Sequence, residues 1–237
     1  METHTPEEAV RRYESQSRSD VSYNGRRYFL TTGNSRMSMF FPIPKLFHSA
    51  YSGEAFAQCL DCECELQSHE TFYTVQKFVV AGETVFELAM CDGCRAHLYQ
   101  RFSDESRATI QRYISEQRAE SSAEEASLET ERFPDPLPIT DVESLDSLHA
   151  CVLCHTPKAQ LRRYALVGLF LADEIFVMQA PPAPFPMPCL VCDACNSGLD
   201  GMLSKQTREE WNEFVEEHFP GPPGVELDSP RQTPLLV

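Results

Sequence analysis

The feature that most constrains this chain is a stretch that occurs twice. Cys91-Asp92-Gly93-Cys94 opens one copy and Cys192-Asp193-Ala194-Cys195 opens the other. The two run in step without a gap, from Cys91 to Gln117 and from Cys192 to His218. Leu98 matches Leu199, Phe102 matches Leu203, Ser103 matches Ser204 and Arg107 matches Arg208. Ile110, Tyr113 and Ile114 then match Trp211, Phe214 and Val215. Each copy is preceded by another C-x-x-C, Cys59/Cys62 in the first and Cys151/Cys154 in the second. Two such pairs flanking a strand-rich segment, duplicated, form the pattern of a tandem tetrathiolate metal protein.

Composition sharpens this. The chain has 237 residues and ten cysteines, a length that allows one to two domains. A disulfide framework would normally follow a secretory leader, whereas the opening Met1-Glu2-Thr3-His4-Thr5-Pro6-Glu7-Glu8 is acidic and polar. No segment approaches the roughly 18 uninterrupted apolar residues of a membrane span. The expectation is a soluble, cytoplasmic protein in a reducing compartment, with thiolates held by metal. The formal charge of −16 argues against a general polyanion binder. About half of that excess comes from 119–149, where nine acidic residues face Arg132 alone. The helix after the first repeated pair is slightly basic, through Arg95, Arg101, Arg107, Arg112 and Arg118. The tail of the second is acidic, with Glu209, Glu210, Glu213, Glu216 and Glu217.

The order of elements points to an α+β chain. Residues 1–50 read as an extension, mobile over its first twenty residues and β-rich after them. Arg27–Thr32 is strand-like beyond a turn signal at 23–26, and Met37–Pro44 is an apolar run. That run is either a strand docked on the first zinc module or a hydrophobic peptide offered to a partner. The first module spans 51–118: a knuckle at Cys59-Leu60-Asp61-Cys62, strands over 71–80 and 84–90 around a turn at 81–83, then the helix that Cys91 opens. Ser103-Asp104-Glu105-Ser106 reads as a break and a fresh N-cap before a second helical stretch. Residues 119–149 read as an acidic, Pro-containing linker. The second module, 150–220, repeats the plan with strands over 163–171 and 175–178 and a turn at 173–174. It carries a proline-rich insertion, Ala180–Pro188, without counterpart in the first. The knuckle cysteines lie 92 positions apart and the helix cysteines 101, a difference that the insertion explains. Residues 221–237 read as a disordered tail.

Zinc requires four ligands at the corners of a tetrahedron, with thiolate sulfur about 2.3 Å away. A C-x-x-C turn offers two sulfurs on one side of the backbone. A second pair at a helix start adds amide N–H groups and the positive helix end, which favour thiolate over thiol. The expected ligands are Cys59, Cys62, Cys91 and Cys94 for one zinc ion, and Cys151, Cys154, Cys192 and Cys195 for the other. Cys64 follows Cys62 too closely to replace it without straining the knuckle. Cys189 forms a further C-x-x-C with Cys192 but aligns with Leu88, an apolar residue. His69, His97 and His155 lie near the clusters, as surface or neighbouring residues and not as ligands. Four thiolates leave no open position for water, so both ions are expected to be structural and not catalytic.

Knuckle, β-hairpin, then a helix carrying the second pair is the order of a treble clef. The Cys-Asp-x-Cys helix start resembles treble-clef, zinc-ribbon-like modules, including the zinc-binding domain of ClpX-type unfoldases. The resemblance covers Cys59, Cys62, Cys91 and Cys94, then Cys151, Cys154, Cys192 and Cys195. It implies structural four-cysteine sites in a module that serves dimerisation and recruitment of adaptors or substrates, which leaves room for a homodimer here. No ATPase phosphate loop follows, so unfoldase activity is not implied.

Three functions compete. A protein–protein interaction adaptor or regulator fits closed metal sites, dissimilar module surfaces and the apolar appendages. A nucleic-acid-binding protein would use Arg95, Arg101, Arg107 and Arg112 of the first module. An enzyme finds little support, because the chain has no His-Glu-x-x-His, nucleophile elbow or glycine-rich phosphate loop. The sequence favours a non-enzymatic adaptor with an unidentified protein partner and no membrane contact.

Overall fold

Two β-branched, aromatic stretches form the centre of the molecule. In the computed structural model, which describes residues 19–23, 26–30, 38–68, 71–113, 115–116, 141–178 and 186–219, they become strands β4 (Tyr73–Val80) and β6 (Arg163–Leu171). Tyr73-Thr74-Val75-Gln76-Lys77 is buried without alternation, the mark of a strand covered on both faces. β4 returns through Ala81 (φ 53°) and Gly82 (φ 89°) into β5 (Glu83–Cys91). Two left-handed residues between antiparallel strands match their right-handed twist. β6 turns at 172–173, with Ala172 at φ 54°, into β7 (Glu174–Val177), one residue earlier than the sequence suggests.

The two hairpins do not stand apart. β4 pairs antiparallel with β6 along its whole length, from Tyr73↔Phe170 to Val80↔Arg163. The sheet runs β1 (Ser19–Tyr23), β2 (Arg26–Leu30), β3 (Ser38–Pro42), β7, β6, β4, β5, with β8 (Cys189–Cys192) also on β6. The apolar run near residue 40 is therefore a strand, and it docks on β7 of the second repeat and not on the first. Phe40 faces Phe176 there, with ring centroids 5.0 Å apart.

β7 and β8 together do what β5 does alone. Tyr73 pairs with Cys91 in the first repeat as Tyr164 pairs with Cys192 in the second. Glu87 and Leu88 are neighbours in β5, whereas their counterparts Val177 and Cys189 are separated by residues 178–188. Met178 and Met187 exchange backbone hydrogen bonds of 2.9 and 2.7 Å that close the base of this insertion. Residues 179–185 lie outside the described residues, as do 1–18, 117–140 and 220–237.

Helices cover the sheet. α1 (Asp92–Arg101) and α2 (104–113) follow β5, while α4 (Asp193–Asp200) and α5 (Lys205–His218) follow β8. Residues 141–149, counted with the linker in the sequence, fold as a single 3-10 turn (Val142–Ser144) and a short helix α3 (Asp146–His149). They bury Val142, Leu145 and Leu148 in the common core. That core is continuous across both repeats, from Phe47, Leu66 and Tyr73 to Leu190, Trp211 and Phe214.

The repeats meet about a local two-fold axis. Gln76 and Val167 are equivalent positions, and they face each other in the β4–β6 pair. Ser103 and Ser204 are equivalent too, and their hydroxyls lie 2.8 Å apart. The Ser103 amide donates to Thr207 Oγ1 at 3.1 Å, and the Ser204 amide donates to Ser106 Oγ at 2.9 Å. This reciprocity is that of an isologous dimer interface, here within one chain.

Candidate metal centres

Each centre is assembled from three local devices. The first is the knuckle, which closes on itself: the Cys59 amide donates to Cys64 O and the Cys151 amide to Thr156 O. Both turns pass through a left-handed residue that is not glycine, Glu63 (φ 57°) and His155 (φ 55°). The second is docking on the returning strand, Leu60 N to Ala89 O and Val152 N to Leu190 O, both 2.9 Å. The third is a helix start, where Cys91 and Cys192 are the N-caps and accept the amides of Cys94 and Cys195. The amides of Cys91 and Cys192 donate in turn to the sulfurs of Cys59 (3.4 Å) and Cys151 (3.3 Å). Amide donors and two helix N-termini thus favour the thiolate form on both sides.

The sulfurs of Cys151, Cys154, Cys192 and Cys195 lie within 4.8 Å of one another. So do those of Cys59, Cys62, Cys64 and Cys91. The Cys62–Cys91 and Cys154–Cys192 separations are 3.8 and 3.6 Å. A zinc tetrathiolate with bonds of about 2.3 Å has tetrahedral edges of about 3.8 Å. All ten cysteines are free thiols. Two clusters can therefore hold two metal ions, and their donor set and spacing fit zinc.

The first cluster differs from the sequence expectation at one corner. Cys64 stands inside it, because left-handed Glu63 folds the chain back beside Cys62; it need not replace Cys62 to get there. Cys94, the expected fourth ligand, also faces Cys62 and Cys91 from the first turn of α1. Five thiols meet here. Cys189 is a fully buried strand residue at the position of Leu88, 3.9 Å from the Met187 sulfur. No histidine among the described residues joins either cluster. His97 and His155 are exposed, and His69 lies outside the described residues.

In the metal-free chain the thiols share protons unequally. The backbone amide of Cys64 and then neighbouring thiols hold Cys62 down at about 7 against burial. Cys64, donating to Cys62, is pushed up to about 12. The Cys195 thiol and three backbone amides hold Cys151 at about 4, while that same bond, with burial, raises Cys195. Burial raises Cys94 and Cys59, and pushes Cys189 up to about 12.

Each repeat's second helix reaches over to the other's half. Tyr113 of α2 lies in the field of all four cysteines of the second cluster. His218 of α5 places Nε2 3.3 Å from Oδ1 of Asp61, inside the first knuckle, and Phe219 packs on Phe86.

The four arginines of the alternative reading are all engaged by carboxylates. Arg95 binds Asp92 at 2.5 Å and Arg107 binds Asp104. Arg101 reaches across the axis to Glu210 (2.6 Å) and Glu213 (3.0 Å), and Arg112 lies 3.9 Å from Glu116.

No family model, curated protein or solved structure matches this chain. The likeness to treble-clef modules and to the ClpX-type domain accordingly rests on the cysteine motif alone. Among the described residues no helix is long and apolar enough to cross a membrane.

Proposed function

We propose that this chain is a zinc protein with two structural tetrathiolate centres of treble-clef type, that it is not an enzyme, and that it works in the cytoplasm as a protein–protein interaction adaptor or regulator. The observation that carries the proposal is the closure of both centres by thiols. With every corner of the tetrahedron taken by sulfur, a bound ion has no position for water or substrate, so its work is to hold the fold. What remains for function is the surface. A loop over 48–54 presents Tyr51 almost wholly exposed. It is braced on β5, with the Ser49 hydroxyl (2.6 Å) and the Ala50 amide (2.9 Å) both donating to Glu87. An aromatic on a braced loop is suited to anchoring a protein partner, since little backbone has to be ordered on binding.

The nucleic-acid reading is weaker, because binding phosphate would require Arg95, Arg101, Arg107 and Arg112 to leave carboxylate partners in a chain of formal charge −16. Two measurements test the proposal. Native mass spectrometry of the protein purified without added metal should find two zinc ions per chain. Fluorescence anisotropy with single- and double-stranded oligonucleotides at low salt should show no binding. Binding that falls steeply as salt is raised would instead favour the arginine helix as a phosphate-contacting surface.

A further inference from the structure

The two centres follow one plan but differ in their number of thiols. Cys64 corresponds to Thr156. Both residues follow the left-handed position of the knuckle, and both carbonyls accept from its first cysteine amide. This backbone return sets the next side chain beside the second knuckle sulfur. In the second repeat that side chain is a hydroxyl, with Thr156 Oγ1 3.2 Å from Cys154 Sγ. It can support a thiolate by donating a hydrogen bond. In the first repeat the same place holds a sulfur within 4.8 Å of Cys59, Cys62 and Cys91. Cys64 is also exposed, unlike buried Cys189, so solvent and metal reach it.

We propose that the fourth corner of the first centre is shared. Cys59, Cys62 and Cys91 hold the metal in common, and either Cys64 or Cys94 completes the tetrahedron, whereas the second centre has no such reserve. The proposal rests on reading both clusters as metal centres. Its chemical content is ligand exchange. The spare thiol gives up its proton as its sulfur binds the ion, and the departing sulfur takes one up, so the ion has four sulfurs before and after the exchange. At the second centre, loss of Cys195 exposes the ion to water or releases it, because Thr156 offers only a neutral hydroxyl.

The test uses the full chain purified without added metal, read by native mass spectrometry for metal count and by X-ray absorption at the zinc edge for the ligand atoms. Cys94→Ser and Cys64→Ser should each keep two zinc ions with all-sulfur shells. Cys64→Ser/Cys94→Ser should lose one ion or gain an oxygen ligand, and so should Cys195→Ser alone. Loss of zinc, or an oxygen ligand, in either Cys64→Ser or Cys94→Ser overturns the shared corner and names that cysteine as the fixed ligand. An all-sulfur pair of ions in Cys195→Ser overturns the contrast between the centres. A wild-type chain that carries no zinc sinks the metal reading itself, a different failure from the others.

Discussion

At the scale of single residues, the least obvious determinant is a buried charge pair. Lys77 and Glu87 face each other across β4 and β5, 3.4 Å apart, with side chains 6% and 16% exposed. Lys77 Nζ also donates to His48 O. Burial pushes the Glu87 carboxyl up, but the Ala50 amide, the Ser49 hydroxyl and Lys77 more than offset this and hold it below its ordinary value. A proton therefore binds Glu87 less well in the folded chain than in the unfolded one. The stabilisation is complete above the ordinary carboxylate value and is lost as pH falls through the lower, folded value. Glu87→Gln leaves Lys77 buried beside a neutral amide, and it should cost about 3 kcal/mol at neutral pH. Urea midpoints of the two proteins should differ by a constant amount from pH 7 down to the ordinary carboxylate range and converge below it. A difference that grows on acidification would refute the assignment. Neither residue can be singled out from the sequence, because a Lys and a Glu in adjacent strands look like two solvated side chains until the sheet is known to be covered on both faces.

At the scale of elements, the reciprocal hydrogen bonds at the helix starts make a quantitative claim. Ser106 and Thr207 are both fully buried, and each accepts the amide of its partner repeat's cap. Ser106→Ala and Thr207→Val each strand one amide, at about 1–3 kcal/mol by the usual penalty for an unpaired buried donor. Thr207 Oγ1 also accepts from the Ser204 hydroxyl at 3.2 Å, so in denaturant melts both variants should lose stability, Thr207→Val by the larger amount. No loss at either position would mean that its bond across the axis contributes nothing. The hairpins and helices themselves were legible. β-branched runs ending in a C-x-x-C mark them, and the gap-free match from Cys91 and Cys192 sets the helices in register. The destination of β3 was not legible, since an apolar edge run fits any strand with an open side. Nor was the place of Cys64, because a left-handed Glu63 leaves no trace in composition.

At the scale of the whole molecule, the shared sheet ties the two halves into one stability. β4 and β6 each serve as the neighbour the other needs, and the core runs through both. Chelating the metal should therefore unfold both repeats in a single transition, since metal binding in such small modules is folding free energy. Hydrogen exchange gives the sharper version. In Cys195→Ser, whose change lies in the second centre, amides of β4 in the first half should lose protection together with those of β6. Protection retained in β4 would show two independent folding units. The sequence displays two modules but says nothing of their union, because pairing between β4 and β6 is set by edges that only the folded hairpins expose.

The local axis has a last consequence, for dilution. Two separate copies of one repeat, joined as these halves are, would come apart as concentration fell, and their melting would track it. They would also be forced to set each residue on the axis against itself. The joined chain escapes both conditions. It can place Gln76 opposite Val167, an unlike pair no symmetric dimer could form there, and its halves stay together at any concentration. Joining the halves in one chain replaces an assembly that would have an equilibrium constant with a single molecule that has none, and leaves its two faces free to differ.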